Sequence, residues 1–318
     1  MEITSGIDGY GYGKAILFGE HFVVYGLPGI AGGISRMTTA TAKKSEEPGL
    51  FVIDNRPAVE GYKAKKESQF QDSLNYIKDA IKKVCWDAQG IEVELAGNLI
   101  AASGVGASAA ACAAIARAIS KFFVLDLSEA EINDIAYQGE RGYHGNPSGL
   151  DNTCATYGSL ITFKRTEDGN QINQLDLDGS VGIVMANTGI PVDTKAIVDG
   201  VRERKEANEK KFEKIFYGYS ELYGKALPAL KSANWESVGH LMDENHKMLQ
   251  EIGVSCKELD DFCKIAKKAG ALGAKLTGGG QGGYMLALTP DSKTQDEVAM
   301  ALSEKSELVI KTSIGGKK

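Results

Sequence analysis

Glycine placement constrains this chain more than any other feature. The 318 residues include 38 glycines against 7 prolines, with glycine-rich segments at 103–109, 140–151 and 277–283. Lacking a Cβ, glycine adopts backbone conformations closed to other residues and presents its N–H groups at close range. No regular helix or strand runs far through such segments. The chain must therefore be built from short elements punctuated by exposed backbone, with turns and backbone-lined sites rather than Pro-rich linkers.

Between these segments the hydrophobic pattern switches between the helical and strand periods. Residues 15–18, 22–25 and 51–54 read as short strands and 30–41 as further sheet, while 91–95 alternates with period two. Helical spacing covers 69–84, 107–122 and 128–141, and 181–185 reads as a buried strand. From 195 to 249 the pattern is almost wholly helical, with the charge run 202–214 as a solvated face. Strands at 274–276 and 284–288 flank the last glycine cluster, followed by a helix at 298–302 and a closing strand at 308–312. This order predicts an α+β fold, with a division near residue 180 into 1–180 and 181–318.

Composition excludes several classes. Hydrophobic residues make up 43% and charged residues 25%, ordinary for a folded soluble protein and unlike disordered or collagenous chains. With 36 basic against 42 acidic residues, the net charge of −6 disfavours nonspecific binding to nucleic acid or anionic membranes. Residues 95–116 form an uncharged run of 22, long enough for a bilayer. Gly97, Asn98, Ser103, Gly104, Gly106 and Ser108 interrupt it, and the rest is largely alanine, so no span is expected. The five cysteines include no CxxC pair and the four histidines are scattered, as in a reduced intracellular protein without a zinc site. Glu2 and Asp8 stand where a secretory signal carries basic residues, and the expected location is the cytoplasm.

Each glycine segment fits a chemistry. Ser103-Gly-Val-Gly-Ala-Ser-Ala109 opens an alanine-rich helix, whose free N–H groups and positive dipole end suit phosphate. Ser108, in the first turn, could hold phosphate or a metal with its hydroxyl. A tight turn into a closely packed helix is the plainer reading. The same residues also match the G-x-G-x-x-A dinucleotide fingerprint, with Asp126 as the following acid, although no strand directly precedes Gly104. In 277–283, five glycines in seven residues can form an anion-binding nest. In the third segment Glu140 and Asp151 lie 11 residues apart. Gly145, Pro147 and Gly149 forbid one helix through both, so Glu140 ends a helix and Asp151 lies beyond a rigid loop. One acid can then hold a metal while the other acts on substrate, unless both are merely helix-end and surface acids.

Segment 13–26, GKAILFGEHFVVYG, resembles the opening motif of the mevalonate kinases, a branch of the GHMP small-molecule kinase superfamily. The later segments fall in that family's order. Residues 103–110 resemble its phosphate loop in the trypanosomatid-type spelling, 140–151 its E…HGxPSGxD segment, and 275–283 its KxTGAGGGG motif. Ala107 replaces the first loop serine, the usual loop proline is missing, and Asn187 stands where the family often has Asp. Gly279, Gln281 and Tyr284 replace the usual Ala, Gly and Cys. The resemblance implies an N-terminal α/β and a C-terminal α+β domain with the site between them, and ATP-dependent phosphorylation of the mevalonate 5-hydroxyl. It implies Mg²⁺ on Ser108 and Glu140, Asp151 as base, and Lys14 beside the hydroxyl. Mevalonate would contact Lys14, Glu20, His21, Tyr143, Asp151, Thr194 and Thr277. ATP would lie on Ser103, Gly104, Val105, Gly106, Ala107, Ser108 and Ala109, and on Gly278 and Gly279. A homodimer is the family's expectation. The rivals are another GHMP kinase, acting on phosphomevalonate or a sugar, an NAD-dependent oxidoreductase built on 104–126, and a catalytically dead binding protein.

Overall fold

A computed structural model describes residues 8–101, 104–175, 177 and 179–315. The chain divides into two compact units. The first takes the chain through Lys14 together with Gly33–Gly158; the second takes Ala15–Gly32 together with the chain from Ser159.

In the first unit β2 (Gly29–Lys44) pairs antiparallel with β4 (Gly90–Gly97), from Thr38↔Gly97 to Lys44↔Ile91. Strand β3 (Gly49–Asp54) lies parallel to β4. The helices are α1 (Tyr62–Ala80), α2 (Ala107–Phe122), α3 (Glu129–His144) and α4 (Leu150–Tyr157). Helix α2 is the core of this unit, buried at Ala107 and at every residue from Ala109 to Ile119. Its small residues admit β1 (Gly9–Phe18) at backbone range: a Cβ on Gly11 would lie 2.1 Å from the Ala110 carbonyl oxygen. Helix α3 starts in a capping box between Ser128 and Glu131, which satisfies two end N–H groups reciprocally.

The second unit holds an antiparallel sheet in the order β10 (Leu308–Gly315), β7 (Ser180–Asn187), β9 (Tyr284–Thr289), β8 (Gly273–Thr277). Helices α5 (Thr194–Ala207), α6 (Glu209–Lys231), α7 (Trp235–Glu251), α8 (Lys257–Lys268) and α9 (Ser292–Ser303) accompany it. A hairpin of β5 (Leu160–Thr166) and β6 (Gly169–Leu175) pairs with the opening of β2 at Gly29↔Phe163. The core gathers Phe22, Val184, Phe212, Tyr219, Leu276 and Met285.

The mixed helix-and-sheet architecture expected from the pattern is present, with local differences. Residues 22–25, read as a strand, lie in a 3-10 helix over Glu20–Tyr25. Gly19 (φ 123°) and Gly26 (φ 77°) turn the chain at both ends, and the Phe22 ring stacks on Tyr219 with centroids 4.0 Å apart. Packing there overrides the strand preference of a Val-Val-Tyr run. Helix α1 begins seven residues before the periodic stretch at 69, through a mostly charged first stretch, YKAKKES, with no helical apolar spacing. Among the described residues no helix is long and apolar enough to cross a membrane; the uncharged run 95–116 is split between β4, a turn and α2.

Candidate active site

Four sequence-predicted residues converge in the first unit. Lys14 sits on β1, held at its backbone N–H by the Val105 carbonyl at 2.8 Å. Ser108 lies in the first turn of α2 and Glu140 one turn before the end of α3. Asp151 lies in the first turn of α4, which starts after Gly149 in the left-handed conformation (φ 83°). The break between α3 and α4, at Gly145 and Gly149, separates the two acids onto different helices.

Lys14 Nζ lies 2.9 Å from Asp151 Oδ1, with the lysine side chain 10% and the aspartate 29% exposed. Burial alone would lower the Lys14 pKa, but Asp151, Cys154 and Glu140 together raise it above the usual lysine value, so the ammonium stays charged. Glu140 is 1% exposed. Burial, reinforced by the negative charge of Asp151, pushes its carboxyl up to about 8, against a hydrogen bond from Ser108 and the charge of Lys14. Its Oε1 is buried with no hydrogen-bond partner among the described residues. A buried carboxyl with an unsatisfied oxygen beside a hydroxyl lacks charge compensation for its ionised form, which a bound cation would supply.

The glycines serve this cluster directly. Gly106, the N-cap of α2, has φ 71°, and a Cβ there would lie 2.8 Å from Lys14 Cγ. Among the described residues no side chain caps the helix, and a helix start of this kind can offer its first N–H groups to an anion. Arg56 secures this first turn by donating to the Ala107 carbonyl at 2.7 Å, and is itself clamped by Asp54. Sequence reasoning assigned no role to Arg56, which lies in no motif. Val105, Ala107 and Ala109 are buried and Gly104 has φ 94°; Ser103 lies outside the described residues. Tyr143 is buried on α3, its hydroxyl kept protonated by burial.

The remaining candidates belong to the second unit. His21 Nε2 donates to the Gly279 carbonyl at 2.7 Å. A carbonyl only accepts, so the proton sits on Nε2 and Nδ1 is the acceptor; burial holds the ring below the usual histidine pKa. Glu20 forms a fully buried ion pair with Lys275, whose ammonium also donates to the Leu276 carbonyl. Lys275 opens the last motif, yet its partner is 255 residues away and nothing in the sequence pairs them. Thr277 Oγ1 accepts from the Ile16 N–H and donates to its carbonyl, both at 3.1 Å. Thr194 begins α5, and a Cβ on Gly279 would lie 2.9 Å from its hydroxyl. Gly278 stands at φ 87° with open space around it.

The dinucleotide reading fails on topology. After α2 no second strand follows: the chain passes through Val124 and Asp126, both at positive φ, directly to the Ser128 cap of α3.

The chain belongs to the GHMP kinases. Residues 75–159 match the GHMP kinases N terminal domain and 226–308 the GHMP kinases C terminal domain. Within that superfamily the chain belongs to the mevalonate kinases. It is 32% identical to the mevalonate kinase of Thermococcus sibiricus, covering 95% of this chain and 94% of that one. It is also 32% identical to that of Pyrococcus furiosus, over 96% of both chains. The crystal structure of L. major mevalonate kinase in complex with R-mevalonate matches 99% of this chain and 97% of its own, at TM-score 0.93 and 35% identity.

Proposed function

We propose that the protein transfers the γ-phosphoryl group of ATP to the 5-hydroxyl of mevalonate, giving 5-phosphomevalonate and ADP. The observation that carries this reading is the Lys14–Asp151 pair, a buried cation 2.9 Å from a partly exposed carboxylate. In the proposed step the mevalonate 5-oxygen bonds to the γ-phosphorus and the bond to the β–γ bridging oxygen breaks. The hydroxyl proton passes to Asp151. In the loose transition state of phosphoryl transfer the proton leaves late. Lys14 stabilises the developing negative charge on the attacking oxygen.

The uncapped start of α2 and the glycines at 278 and 279 are the proposed triphosphate contacts. His21, Tyr143, Thr194 and Thr277 are the proposed mevalonate contacts, with Glu20 beside His21. Ser108 and Glu140 fit Mg²⁺, which takes hard oxygen donors and fills its remaining positions with water and phosphate. Among the described residues no three His, Cys, Asp or Glu cluster as a metal site, and Mg²⁺ requires none. When bound, the ion would neutralise triphosphate charge. A homodimer in the cytoplasm is the proposed setting, in keeping with five free cysteines.

The test is ADP release with mevalonate, phosphomevalonate, galactose and homoserine as acceptors. Mevalonate alone should stimulate it. Stimulation by another acceptor and not by mevalonate would reject the assignment.

A further inference from the structure

We infer that Gln281 is a positioning residue, a latch that holds the 277–283 glycine loop so that the Gly279 carbonyl meets His21. The inference rests on the proposed mevalonate contact of His21.

Gln281 stands at φ 54°, a conformation that costs an ordinary residue energy and glycine none. Four neighbouring positions, 279, 280, 282 and 283, are glycine, so a side chain here needs a reason. Its amide nitrogen donates to the Gly253 and Ser255 carbonyls, each at 2.9 Å, and its backbone N–H donates to the Val254 carbonyl at 2.8 Å. One residue thus grips three successive carbonyls of the turn between α7 and α8. Both hydrogens of the side-chain amide are used, which fixes its orientation.

The adjacent loop residue Gly280 lies against the same turn. Gly280 passes so close to the turn that a Cβ would lie 2.0 Å from the Val254 oxygen. Two residues before Gln281, the Gly279 carbonyl receives the His21 proton at 2.7 Å. Beside the latch the loop borders a cleft of about 320 Å³ lined by Pro191, Asp193, Ile197, Arg204 and Gly253. The Gln281 side chain is exposed at the rim of that cleft, so its two side-chain hydrogen bonds, rather than burial, fix its place. A residue that acts through His21 on ground-state binding should change KM for mevalonate and spare kcat.

The isosteric variant Gln281→Glu presents a carboxylate to two carbonyls and can donate to neither. Mevalonate KM should rise about fivefold or more, with kcat within about twofold. Gln281→Gly relieves the backbone strain but removes the latch, and should raise KM by about threefold. In a His21→Ala background, which itself raises KM, Gln281→Glu should add less than about twofold, because the two act as a unit. Thermal melting of each variant reports folding, and Gln281→Gly carries the test if Gln281→Glu does not fold. Wild-type KM in both variants, with or without a lowered melting temperature, overturns the latch. So does a full Gln281→Glu effect in the His21→Ala background. An unchanged mevalonate KM in His21→Ala alone overturns the substrate reading of His21 and the latch with it.

Discussion

Lys14 and Asp151 meet within a hydrogen bond of each other, and a pair serving one proton transfer should fail as one. Asp151→Asn keeps the shape and removes the proton acceptor, which costs about 10²–10⁴ in kcat. Lys14→Met should also cut turnover strongly, and the double variant should be little worse than the worse single one. ATP affinity should survive Asp151→Asn. Turnover near wild type in that variant would refute the base. A second expectation concerns pH. His246 on α7 is 7% exposed; it accepts from the Leu276 N–H at Nδ1 (3.3 Å) and donates from Nε2 to Asp260 (3.0 Å). Burial, with Lys275 nearby, lowers its pKa, and the Asp260 and Asp243 charges only partly oppose this. A group depressed in the folded state takes up its proton more readily when unfolded. Its contribution is therefore complete above about pH 6.5 and is lost as the pH falls through the lower folded value. The urea midpoint should drop between pH 7.5 and 5.5, and His246→Gln, although less stable at pH 7.5, should drop less. Equal drops would exclude His246 as a source. Of the residues at the candidate site, Lys14, Ser108, Glu140 and Asp151 were legible because each sits in a motif whose residue types suit one chemistry. Lys275 with Glu20, Arg56 with Ala107 and Gln281 with Gly253 were not, because such pairings are set by tertiary packing and leave no trace in local spacing.

At the scale of elements, the contact of β1 with α2 sets how the Lys14 strand is carried. A methyl group on Gly11 would meet a backbone oxygen at 2.1 Å, and a backbone cannot step aside as a side chain end does. Gly11→Ala should therefore cost about 1–3 kcal/mol in urea unfolding, and turnover should fall with it because Lys14 follows on the same strand. A stable, fully active Gly11→Ala enzyme would show that the two elements are free to separate. Element legibility followed burial. The pattern and the structure agree on 107–122 for α2, since an alanine-rich, almost wholly buried helix is bounded by Gly106 before it and polar residues near its end. The hairpin strand β6 carries no strand pattern: it is largely exposed and polar, so its strand character comes from pairing with β5. The 3-10 turn at Glu20–Tyr25 departs from the strand pattern for the opposite reason, a strong local preference outweighed by Phe22 docking on Tyr219.

At the scale of the molecule, the chain's order and its compact units disagree. Residues Ala15–Gly32 belong with the chain from Ser159 onward, and Phe22 among them is wholly buried in that unit's core. A fragment beginning at Ser159 should therefore lack a cooperative thermal transition by calorimetry, and adding the Ala15–Gly32 segment by a linker should restore one. Melting of the shorter fragment as a two-state domain would show that the segment is dispensable. The linkage also bears on synthesis. Pro28 accepts the Tyr219 hydroxyl across 191 residues of sequence. On a ribosome adding about 5–20 residues per second, the early segment waits roughly 10–40 s before its partner exists. Through that interval a nascent chain displays an aromatic side chain, Phe22, whose partner Tyr219 has not yet been made. Translation speed and holdase chaperones thereby become determinants of yield for this enzyme, independently of how stable the finished fold is.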